Sequence, residues 1–114
     1  MQNIFGEKIA ELRRKKFPGL SLRKVGESLT KEQGFTKFFY TQLNKFEMGF
    51  VLPSSELLAK ILDAYEADEV ERLEIVQAYA TQMADEKVRM VAEDTNVKYS
   101  EVENVVFYRK RDKK

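Results

Sequence analysis

The side chains that most often carry out chemistry on a substrate are missing from this chain: its 114 residues include neither histidine nor cysteine. That removes disulfides, thiolate nucleophiles, the usual zinc ligand sets and the commonest general base together. A serine nucleophile working without histidine needs a placed lysine, and no such spacing occurs. A glycine-rich phosphate cradle and a motif-placed carboxylate pair are equally lacking. The chain is therefore expected to bind rather than catalyse, with no cofactor and no metal. The chemistry left to it is charge. The formal net charge of +1 conceals a division along the sequence. Residues 1–54 carry ten Lys/Arg against five Asp/Glu, residues 55–104 five against thirteen, and residues 105–114 five against one. A basic front half attracts a polyanion while the acidic back half faces elsewhere. Solvated charge with no partner is the plain alternative.

The elements that must position these charges read as helices throughout, with 43% apolar residues to supply a core. Phe5, Ile9, Leu12 and the stem of Lys16 recur at helical spacing and predict a first amphipathic helix over 3–16. Phe17-Pro18-Gly19 stops it. Ser21 caps a short helix over 21–29 with Leu22, Val25 and Leu29 inward. Gly26 on that helix either lets another helix approach closely or is merely tolerated. Thr30 to Phe35 reads as a polar connection. Thr36 caps a helix over 37–48 with Phe39, Leu43 and Phe46 inward, closed by Gly49. Ser54 or Ser55 caps a helix over 55–65 built on Leu57, Leu58, Ile61 and Leu62. Asp68 caps a long helix to about Glu93, with Val70, Leu73, Val76, Ala80, Met83 and Val91 as its apolar stripe. Ser100 and Glu103 form a capping-box signature for a last helix containing Val102, Val106 and Phe107. The chain ends in a basic tail from Arg109 to Lys114. No apolar run approaches the length of a membrane span and no secretory pattern opens the chain, so no membrane and a cytoplasmic location are expected.

Two stretches carry a family resemblance. One is Phe5-Gly-Glu-Lys-Ile-Ala-Glu-Leu-Arg-Arg14 with Leu20-Ser-Leu-Arg-Lys-Val-Gly26. The other is Gln42-Leu-Asn-Lys-Phe-Glu-Met-Gly49 with Pro53-Ser54 and Glu56-Leu-Leu58. Together they resemble the Cro/C1-type (XRE) helix-turn-helix regulators, and the second is also similar to the N-terminal domains of Rgg-type regulators. The resemblance covers residues 3–66. It implies an all-α, lambda-repressor-like helix-turn-helix bundle at 1–66, with 67–114 as a helical extension. The first helix of the pair crosses the DNA backbone and the second lies in the major groove. Carried over position by position, Tyr40, Thr41, Asn44 and Lys45 face the bases, while Arg23 and Lys24 touch phosphate. Asparagine can pair bidentately with adenine, lysine can reach guanine, and threonine can bond either edge or touch a thymine methyl. Tyr40 either packs on a methyl or sugar or completes the core. Glu47 is expected beneath the recognition helix, with Lys15 placed to pair with it.

The sequence departs from the family in two places. About seven extra residues lie between Leu29 and Phe39. They either lengthen the recognition helix from Thr36, bringing Lys37 and Phe38 to the DNA, or form a wing-like loop. Phe50-Val-Leu52 is apolar where relatives carry polar residues, and packs under the fourth helix or joins a dimer surface. The long acidic helix either dimerises or covers its own core, and the basic tail adds affinity for phosphates or stays idle. The resulting expectation is a transcriptional repressor that binds double-stranded DNA as a homodimer. The alternative is an antitoxin-like or adaptor protein whose residues 67–114 bind a protein partner.

Overall fold

Four helices begin where a side chain satisfies a loose backbone N–H, and two end on a left-handed glycine. In the computed structural model, which describes residues 3–95, five helices follow one another: α1 (Ile4–Lys16), α2 (Leu22–Gln33), α3 (Phe39–Met48), α4 (Ser55–Ala64) and α5 (Glu69–Asp94). No strand occurs among the described residues. The protein is an all-α helical bundle. Asn3, Ser21, Ser54 and Asp68 cap α1, α2, α4 and α5, each accepting from a backbone N–H three residues on. At α5 the cap is reciprocal, since the Glu71 carboxylate also accepts from the Asp68 N–H at 2.9 Å.

One core joins all five helices. Phe5, Ile9 and Leu12 of α1 meet Val25 and Leu29 of α2, Phe39, Leu43 and Phe46 of α3, and Leu58, Ile61 and Leu62 of α4. Ile75, Ala78 and Tyr79 of α5 close the same cluster. Phe5 and Tyr79 meet edge to face at 5.5 Å between ring centroids. The Tyr79 hydroxyl donates to the Pro53 carbonyl at 2.6 Å, tying α5 to the loop before α4. Buried Gln82 is polar for a reason: its Oε1 accepts from the Phe5 N–H at 3.0 Å, one of the donors that the first turn of α1 leaves unused.

Two expectations are corrected and one alternative is decided. Thr30–Gln33 are helical and extend α2 by a turn instead of opening a polar connection. Lys31, Glu32 and Gln33 are good helix formers, and the stop is Gly34, whose left-handed φ of 74° costs glycine least. Second, α3 starts at Phe39, and Thr36 is not its cap. The carbonyl of Thr36 instead accepts from the Thr30 hydroxyl at 2.8 Å, folding the connection back onto α2. The extra residues thus lengthen the helix before the turn, forming neither a wing nor a longer recognition helix. Of the two alternatives for the stripe Val70, Leu73, Val76, Ala80, Met83 and Val91, covering its own core is excluded, because all six residues are exposed. The buried face of α5 is Ile75, Ala78, Tyr79 and Gln82. The calls on Ser100, Val102, Glu103, Val106, Phe107 and the tail from Arg109 lie outside the described residues. No helix among the described residues is long and apolar enough to cross a membrane.

Candidate nucleic-acid interface

α3 is held at both ends by contacts that leave its outer side free. At the front, Gly26 of α2 lies against the backbone of Tyr40. A Cβ on Gly26 would stand 2.5 Å from Tyr40 Cβ, 2.6 Å from its Cα and 2.7 Å from its N. Only glycine allows α2 and α3 to cross this closely, so the close-approach alternative for Gly26 holds.

At the rear, α1 grips Glu47. The Arg13 guanidinium meets the Glu47 carboxylate in a two-pronged contact, Nε to Oε2 at 2.7 Å and Nη2 to Oε1 at 2.9 Å. Both side chains are about one-tenth exposed. This hydrogen bond, opposed by burial, holds the Arg13 guanidinium above its ordinary value. Asn3 Nδ2 adds a bond to the Glu47 carbonyl at 2.6 Å. The expected partner of Glu47, Lys15, turns the other way and pairs with Glu71 of α5. The reason is helical phase. Arg13 shares the buried side of α1 with Phe5, Ile9 and Leu12, whereas Lys15 is exposed. That phase is readable in the sequence and would have singled out Arg13.

The expected base-facing residues separate into two groups. Thr41, Asn44 and Lys45 are exposed on the outer side of α3, and Met48, 58% exposed, extends the same side by a turn. The Thr41 hydroxyl donates to the Phe38 carbonyl at 2.8 Å, leaving its lone pairs and methyl for a ligand. Tyr40 is half-buried. Its backbone packs on Gly26 and its ring lies beneath the Arg23 guanidinium, 5.3 Å from the centroid. Tyr40 thus braces the helix crossing and stands outside the core cluster.

The expected phosphate residues and the connection lie at the same end. Arg23 also bonds to Glu27 at 3.0 Å, and this, more than the nearby Tyr40, raises the guanidinium above its ordinary value. The Arg23–Glu27 pair is exposed on α2, so exchanging the carboxylate for a phosphate costs little. Lys24 and Lys37 are exposed. Phe38, 66% exposed, stands edge-on to Tyr40 at 6.2 Å. Its backbone adopts the left-handed conformation, φ 59° and ψ 33°, at the N-cap of α3. For a bulky residue this costs about 1–2 kcal/mol. It aligns the Phe38 carbonyl to accept from both the N–H and the hydroxyl of Thr41. Of Phe50-Val-Leu52, Phe50 is 70% exposed and Val51 45%, while Leu52 packs on the core. Sequence reasoning passed over Met48, whose place four residues after Asn44 and seven after Thr41 was the available signal.

Comparison with known proteins finds no matching family model, curated protein or solved structure.

Proposed function

We propose that this protein is a sequence-specific regulator of transcription that binds double-stranded DNA as a homodimer and lays α3 in the major groove. The observation that carries the reading is the mounting of α3. Gly26 fixes its front and the Arg13–Glu47 pair its rear, while Thr41, Asn44 and Lys45 project outward with no part in the core. A helix held this firmly, with an amide and an ammonium on its free side, suits a reader of base edges. Arg23 and Lys24, near the N-terminus of α2, supply phosphate contacts to fix its register, helped by the charge balance of residues 1–54.

The test is selection from a random duplex pool followed by binding across a salt series. The expected result is an enriched motif of two related halves, with affinity falling steeply as salt rises. Asn44→Ala relaxes the preference at one position of each half and costs about 1–3 kcal/mol there. Lys24→Ala weakens all sequences alike and lowers the salt slope by about one per chain. Absence of retention at low salt refutes the reading.

A further inference from the structure

The outward side of α5 is apolar where the solvent side of a helix is ordinarily charged. Leu73, Val76, Ala80, Met83, Lys87 and Met90 follow one another in alternate steps of three and four residues, all exposed and about a third of a turn round the helix from the buried Ile75, Ala78, Tyr79 and Gln82. Leu73 is 58% exposed, Met83 44% and Met90 60%. Lys87 is the one charge in this series. A step of four before Leu73 brings Glu69, also exposed, onto the same line. This is the spacing by which two helices pack along a seam.

We infer that α5 is the dimer surface, occupied by the α5 of a second copy of this chain running antiparallel. Charge decides the direction. A parallel pair sets Lys87 against the partner's Lys87 and Glu69 against the partner's Glu69. An antiparallel pair centred between Val76 and Ala80 sets Glu69 against the partner's Lys87, Leu73 against the partner's Met83, and Val76 against the partner's Ala80. The two ends then carry opposite charges and the four middle layers are apolar. From Glu69 to Lys87 the seam is about 27 Å long. It covers on the order of 500 Å² of each chain, bringing the pair near the lower limit for a specific interface. None of these side chains belongs to the buried set of α5, so pairing leaves the packing of α1 to α4 untouched. The inference gives the homodimer proposed above its surface, and its test uses no DNA, so either reading can fail alone.

Sedimentation of the full chain over a dilution series, against a chain mass of 13.3 kDa, is expected to show a reversible dimer. Val76→Glu with Met83→Glu gives a monomer with unchanged helical circular dichroism. Lys87→Glu alone and Glu69→Lys alone each raise the dissociation constant about tenfold, and the double exchange restores it. A monomer at every concentration, or a dimer indifferent to Val76→Glu with Met83→Glu, overturns the assignment. A double exchange that fails to restore the dimer overturns the antiparallel register.

Discussion

Gly26→Ala separates the mounting of α3 from every other feature of the fold. The added Cβ would sit 2.5 Å from Tyr40 Cβ and 2.7 Å from its backbone N. Ordinary carbon contacts are about 3.5–4.0 Å, so the first turn of α3 must retreat by about 1 Å. The obstructing atoms are backbone and Cβ, which no rotamer change can move aside. Overpacking costs about 1–3 kcal/mol, and against backbone atoms the upper part of that range, about 2–3 kcal/mol, applies; alanine returns about 1 kcal/mol of helix propensity. The net loss is about 1–2 kcal/mol, or roughly 5–10 °C in Tm for a domain of this size. DNA binding is expected to fall further than stability, because Asn44 and Lys45 move with the helix. Loss of one two-pronged base contact alone is worth about 1–3 kcal/mol. Thermal denaturation followed by circular dichroism gives the first quantity, and titration onto the selected duplex well below Tm gives the second. A variant as stable as the parent refutes the close-crossing argument. One that is destabilised but binds DNA with parental affinity refutes α3 as the reader.

Other substitutions test the remaining contacts. Glu47→Ala leaves the Arg13 guanidinium buried without its carboxylate and is expected to cost about 3–5 kcal/mol in urea unfolding. The double variant Arg13→Met, Glu47→Leu recovers most of that loss. Tyr79→Phe removes a buried bond to the Pro53 carbonyl and costs about 1–2 kcal/mol. Tyr65→Phe is neutral or stabilising by the same assay, since the Tyr65 hydroxyl is buried with no hydrogen-bond partner. Bonds from Lys15, from the Asp68 N–H and from Lys16 lower the Glu71 carboxyl to about 2. A lowered folded value means that its contribution is whole above about pH 4.5 and is lost as pH falls through about 2. Tm measured over that window is therefore expected to fall less steeply in Glu71→Gln than in the parent, while at neutral pH the variant is the less stable. Equal slopes would refute the role given to Glu71.

Local chemistry was legible in the sequence wherever a single residue type solves a backbone problem. Ser21, Ser54 and Asp68 begin helices because each offers an acceptor to loose N–H groups. Gly49 ends one because the left-handed residue there must lack a Cβ. The small residue at Gly26 and the inward set Phe39, Leu43 and Phe46 followed from spacing, and they also leave Asn44 and Lys45 facing outward. Gly34 was overlooked as a stop because Thr30–Gln33 are polar on every side. An exposed turn of helix has no apolar period to announce it.

Only the tertiary structure decided which partner each face meets. α5 carries two stripes of nearly equal apolar character, and the 3.6-residue period gives both without ranking them. The core took Ile75, Ala78, Tyr79 and Gln82. On that side alone Tyr79 reaches Phe5 and the Pro53 carbonyl, and Gln82 reaches the open end of α1. Those are contacts across 26 to 77 residues of chain, and a local period carries no information about them. Glu47 is an intermediate case: the phase of α1 puts Arg13 inward and Lys15 outward, and the packing of α3 brings Glu47 to that inward side. Sequence set the helices and their caps through interactions spanning a few residues. The fold chose between faces because burial is decided by whatever lies opposite.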